Sequence, residues 1–284
     1  MTPELPQPSY YDKFLGAVWG EYCSHYLMPD SLYHFPESKE QRQEQFELTG
    51  MSEMGLNIAY LPDYKKELLR FYEDVSGYLD ATKAQAGLLL GVAVRLMVSN
   101  EIMVEDLLSA VIDYLPPDAG LDNPYRAKLL AAQDYLEERQ TLVNNILAGD
   151  LEGIDLSEVD QRNVARCENS NDLPGAVAAG FYLIIACKDD FKAAMKLALE
   201  AKRNYVITFL VGVTLGACYG STIIPNEYQE NSGSSQEVEN NAKEIHWTAL
   251  MRLDHKKYFN LKPDSIPVIN FDRQKNSKPE DNAL

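Results

Sequence analysis

The residues able to do acid–base, nucleophilic or metal chemistry are scattered along this chain. The four histidines are His25, His34, His246 and His255. None sits in an H-E-x-x-H arrangement, the spacing that sets two imidazoles on one helix face beside a carboxylate base. Glu21 and His25 lie one helical turn apart and share a face, but a lone helical histidine reads more readily as structural than as a ligand. Asp189–Asp190 has the form of a metal-binding pair, yet it directly precedes FKAAMKLALEA, where an aspartate caps a helix N-terminus. Glu73–Asp74 and Glu137–Glu138 fall on helix faces that read as solvated. Cys23, Cys167, Cys187 and Cys218 form no C-x-x-C pair, so they read as buried thiols of a reducing compartment. There is no G-x-S-x-G, no Walker loop and no G-x-G-x-x-G.

The elements that would position such residues are helices. The 284 residues carry 43 acidic against 26 basic side chains, a net −17, and 45% are hydrophobic. That allows one sizeable core. A field of this sign repels phosphate backbones and anionic lipid, so neither nucleic acid nor a membrane surface is expected as a partner. The start of the sequence lacks a basic residue followed by an apolar run, and a cytoplasmic location is expected. Residues 1–12, with Pro3, Pro6 and Pro8, read as an extended arm. A helix capped by Asp12 follows through FLGAVWGEYCSHYL. Three-and-four apolar spacing predicts further helices in KKELLRFYEDVSGYL, TKAQAGLLLGVAVRLMV, EDLLSAVIDYL, YRAKLLAAQDYLEERQTLVNNIL and PGAVAAGFYLIIAC. LEGIDLSEVDQRN reads as less regular, a helical turn with loops. Residues 229–241 read as a flexible polar loop, AKEIHWTALMRLDHKKYF as a last helix, and 260–284 as an extended or disordered tail. No alternating strand pattern appears. The expectation is an all-α, single-domain helical bundle over 13–259.

Residues 204–226 contain no charge and are apolar enough to suggest a membrane span. Thr208, Thr214, Ser221 and Thr222 dilute the run, and Gly212, Gly216 and Gly220 line one face at four-residue spacing. A buried central helix is the better reading, with no transmembrane segment.

Three segments carry a resemblance: GAVWGEYCSHYL at 16–27, TGMSEMGLNIA at 49–59, and FKAAMKLALEAKRNYVITFLVGVTLGACYGSTIIPNEY at 191–228. In this order they resemble the ADP-ribosylglycohydrolase family, all-helical hydrolases that include the dinitrogenase-reductase-activating glycohydrolases. Gly16 and Gly20 match a G-x-x-x-G run on the first helix. Gly212, Gly216, Ala217, Tyr219 and Gly220 match a late glycine-rich helix, and Ile224, Pro225 and Glu227 match its ending. The resemblance implies a cleft in which aspartates of a T-D-D-T and a G-G-D-x-D-T motif hold two magnesium ions beside ADP-ribose. Here T-D-D-T reads Thr49-Gly50-Met51-Ser52. The second motif reads Ala201-Lys202-Arg203-Asn204-Tyr205-Val206, with Arg203 and Tyr205 at the aspartate positions. Ser24-His25 stands where the family has Gly-Asp.

Magnesium requires hard anionic oxygens, and a guanidinium repels it. The expectation is therefore a degenerate member without cofactor or catalytic residues, its vestigial cleft formed by Thr49, Gly50, Met51, Ser52, Lys202, Arg203, Asn204, Tyr205 and His25. It would act on a protein partner as a binding, regulatory or assembly factor. A second reading is a metal-free sensor in which Lys202 and Arg203 hold an anionic ligand such as a diphosphate, unless Arg203 pairs with Glu200 or Glu53. A third is an active hydrolase with metal ligands relocated to Glu21, Glu53 or Asp63.

Overall fold

A computed structural model of the chain describes residues 8–27, 52, 54–61, 64–76, 81–115, 123–151, 153–231 and 235–259. Among these residues every regular element is a helix and none is a strand. Helix α1 spans Tyr10–Leu27. It begins two residues before the expected Asp12 cap. Ser9 takes that role, its Oγ accepting from the Asp12 amide at 3.1 Å. The expected arm over 1–12 is thus already helical from Tyr10, and residues 1–7 lie outside the described part. Asp12 instead reaches across the fold: its Oδ1 accepts from Ser221 Oγ at 2.6 Å and from Ser221 N at 3.3 Å.

Residues 54–57 are helical. Then come α2 (Tyr64–Ser76), α3 (Ala81–Ser99), a 3-10 turn (Val104–Asp106) and α4 (Leu107–Asp113). Helix α5 (Pro124–Ala148) starts under an Asn123 cap with proline in its first turn, and ends on Gly149 at φ 81°. Helix α6 (Leu156–Cys167) corrects the irregular reading of that stretch. Its buried residues are Val159, Asp160, Asn163, Val164 and Cys167. The helical period is complete only when two polar residues are counted as inward, which is why apolar spacing missed it.

Helices α7 (Leu173–Ala186), α8 (Phe191–Leu199) and α9 (Asn204–Tyr219) follow. Asp172 caps α7 through the Gly175 amide, and Asp190 caps α8 through the Ala193 amide at 2.9 Å. A 3-10 turn (Ser221–Ile223) leads to α10 (Asn226–Asn231) and α11 (Ser235–Phe259). The flexible loop expected over 229–241 is therefore mostly helix. Its polar residues bond at four-residue spacing, Gln236 to Asn240 at 3.0 Å and Lys243 to Glu239 at 3.3 Å, while Val238 and Ala242 are fully buried. The polar composition marks the wet face of a packed helix. The expected tail, 260–284, lies outside the described residues.

The core is built around α9, in which Val206 to Ala217 are all buried, with α7 buried from Pro174 to Ile184. One described helix, α3, is long and apolar enough to cross a membrane, and 78% of its apolar window is buried inside the fold. The charge-free run at 204–226 makes only the 16 residues of α9.

Helices α1 and α9 lie antiparallel with almost no side chain between them. A Cβ on Gly16 would stand 2.7 Å from Gly220 O, and one on Gly212 would stand 2.5 Å from Gly20 O. Any larger residue forces the helices apart. Gly220 closes α9 at φ 78° and ψ −172°, a backbone region open essentially to glycine alone.

Candidate functional site

The antiparallel seam brings the C-terminal end of α1 against the first turns of α9. Gly16 faces Gly216 and Gly220, Gly20 faces Gly212, and Ser24 reaches Thr208. Ser24 is fully buried, its Oγ between the carbonyls of Gly20 at 2.6 Å and Thr208 at 2.9 Å. Its hydroxyl is spent on joining the two helices. The side chain of His25, one residue on, lies outside the described part, as do Thr49, Gly50 and Met51. Ser52 is described and is 1% exposed.

The turn into α9 holds the other four residues of the expected cleft. Lys202 is exposed; Arg203, Asn204 and Tyr205 are half-buried. Arg203 occupies the N-cap position without a side-chain cap bond. Asn204 opens the helix, its carbonyl and that of Tyr205 accepting from Thr208 Oγ1 at 2.7 and 3.0 Å. The Tyr205 ring leans on Phe209, one turn later, with centroids 6.2 Å apart.

What orders this turn is a residue that motif reading did not single out. Glu168, 1% exposed, follows the end of α6. Its Oε2 accepts from Lys202 N at 3.0 Å and its Oε1 from Arg203 N at 2.8 Å. A carboxylate thus sits at the positive end of α9, where amides and helix dipole favour an anion. The turn that carries Glu168 is braced in turn. Lys128 Nζ donates to Cys167 O at 3.3 Å, Asn169 Oδ1 at 2.7 Å and Ser170 Oγ at 2.8 Å. A Cβ on Gly175 would stand 2.6 Å from Cys167 O, so α7 starts hard against the same turn. Burial pushes the Cys167 thiol up to about 12, which makes it an inert packing residue.

The alternatives raised by the sequence fare differently. Glu200 Oε2 accepts from Gln161 Nε2 at 3.1 Å. Glu53 and Asp63 lie outside the described residues, and Glu21 is half-buried on α1. Among the described residues, no three His, Cys, Asp or Glu side chains gather as a metal-holding group. The donors on the first turn of α9 are a guanidinium and a phenol, a set that does not suit the hard, divalent cations the resemblance implies.

A second buried polar group lies behind the site. Arg139 of α5 forks onto Asp160 of α6, Nε to Oδ1 at 2.6 Å and Nη2 to Oδ2 at 3.1 Å. Tyr182 of α7 donates to the same Oδ1 at 2.6 Å and accepts from Asn163 at 3.0 Å. Burial, then the Asp160 bond, pushes the Tyr182 phenol far above its usual value. The group fixes three helices against one another.

The ADP-ribosylglycohydrolase family model matches residues 58–256 of the chain. The match takes in α2 through most of α11, including the whole α8–α9 stretch, and begins after α1 and residues 49–52. No curated protein and no solved structure matches.

Proposed function

Because the chain belongs to the ADP-ribosylglycohydrolase family, we propose that it is a member that keeps the scaffold without the hydrolase reaction and acts by binding a protein partner. The observation that carries this reading is the entry into α9. A family hydrolase needs two carboxylates there; this chain has Arg203 and Tyr205, and its own Glu168 already takes the Lys202 and Arg203 amides. A guanidinium in that place opposes magnesium binding. The absence of magnesium belongs to the same proposal, as does a cytoplasmic location.

The Glu168 bonds also weigh against the sensor reading. A diphosphate would have to compete with an internal carboxylate for those amides and would meet its negative charge. Isothermal titration with ADP-ribose tests this. We expect no heat at millimolar ligand; saturable binding would favour the sensor over the partner-binding protein. Affinity purification from the native cell, followed by reconstitution with the purified candidate, tests the partner. A defined stoichiometric complex is expected, and a chain that remains alone and hydrolyses ADP-ribosyl conjugates would overturn the proposal.

A further inference from the structure

Far along the sequence from the α9 turn, the C-terminal end of α3 carries a buried cation with too few acceptors. Arg95 is 4% exposed. Its Nη2 donates to Glu101 Oε1 at 2.7 Å, while its Nε and Nη1 are buried and have no hydrogen-bond partner. The ring of Tyr64 covers one face of the guanidinium, 4.2 Å from centroid to Cζ. Tyr64 OH donates to Glu101 Oε2 at 3.1 Å and is bonded to Tyr114 OH. Lys65 stands over the Tyr114 ring at 5.1 Å.

Arginine is a donor only and stays charged, so each missing bond is a missing acceptor. Buried N–H groups of a cation are rarely left unpaired in folded proteins, and an unpaired one points to an unseen water or ion. A second buried cation, Lys13, reaches the same helix end; its Nζ donates to Met97 O at 2.6 Å and to Asn100 Oδ1. The carboxylate bonded to Arg95 is Glu101, whose side chain is 40% exposed.

We infer that Arg95 anchors a site for a small oxyanion, a carboxylate or a phosphate, at the corner formed by α2, α3 and α4, with the Glu101 carboxylate on Nη2 repelling it from the open Nε and Nη1. Arg95 supplies the charge and the open N–H groups. Tyr64 holds the guanidinium plane, and Lys65 sits at the rim.

Titration of the full chain with inorganic phosphate and with acetate tests this, at constant ionic strength set by chloride, followed by calorimetry and thermal melting. The site predicts saturable binding to wild type, roughly tenfold tighter in Glu101→Gln, where the carboxylate charge that repels the anion is gone. Binding should be lost in Arg95→Lys, which cannot present the open Nε and Nη1 donors. Preference between the two anions identifies the ligand chemistry. If Arg95→Lys fails to fold, the Glu101→Gln comparison still decides. A folded Glu101→Gln protein that binds neither anion better than chloride overturns the inference and leaves water on those donors.

Discussion

Glu168 does at the residue scale what the family's aspartates do by another route: it puts negative charge beside the first turn of α9. The charge serves the fold here. Its two oxygens accept from two backbone amides while the side chain is 1% exposed. Removing the acceptor strands both donors. Glu168→Ala is expected to cost about 3 kcal/mol, because hydrogen bonds to a buried charge contribute about 1.5–3 kcal/mol each and the freed amides are not fully rehydrated. Glu168→Gln keeps one amide-oxygen acceptor and should lose less. Urea denaturation of the two variants measures the difference. The residue was not legible in the sequence because its role depends on a contact 34 positions away. The replacement of the motif aspartates by Arg203 and Tyr205 is by contrast a purely local expectation, carried by residues 201–206 alone.

His246 offers a second test at this scale. Its Nε2 lies 2.9 Å from Tyr60 OH, and its ring meets Phe14 and Tyr11 edge-on at 5.0 and 5.5 Å. Burial pushes the Tyr60 phenol up to about 12, so it stays protonated as the donor and the imidazole accepts. Burial also holds His246 below the ordinary 6.5. The folded state then binds this proton more weakly than the unfolded chain does. The corresponding stability is present above pH 6.5 and is lost as pH falls from there through the folded pKa. Wild type should therefore weaken over this range more than His246→Gln. Parallel curves of stability against pH for the two proteins would contradict the assignment.

At the scale of elements, the α1–α9 seam is set by glycines and the α5–α6–α7 junction by charge. Gly212→Ala should destabilise by roughly 3 kcal/mol, since its Cβ would stand 2.5 Å from Gly20 O and backbone cannot yield as a side chain can. Asp160→Asn should cost about 3 kcal/mol, because the amide keeps one acceptor oxygen but loses the charge and sets an NH2 against the Arg139 guanidinium in place of Oδ2. Chemical denaturation reads both. The glycine face was visible as a four-residue repeat, and the buried helices were visible as apolar runs. Helix α6 was not, because Asp160 and Asn163 occupy inward positions that a polarity rule assigns to solvent. The first turns of α11 were missed for the opposite reason: Gln236, Glu239, Asn240 and Lys243 are polar because they face water along a helix. In both places the polar residues obey tertiary position, which local composition does not encode.

For the molecule as a whole, the fold class and its central helix followed from hydrophobic patterning, and the family followed from the glycine-rich helix and its ending. The reaction does not follow from the fold. On the proposed function the chain is a hydrolase scaffold with Glu168 on the amides that lead into α9 and Arg203 and Tyr205 in place of the motif aspartates. The most direct measurement is release of ADP-ribose from ADP-ribosyl-arginine and ADP-ribosyl-serine by the purified full chain with magnesium added. The account predicts a rate indistinguishable from that of buffer with magnesium. Turnover that requires magnesium and scales with protein concentration would contradict it.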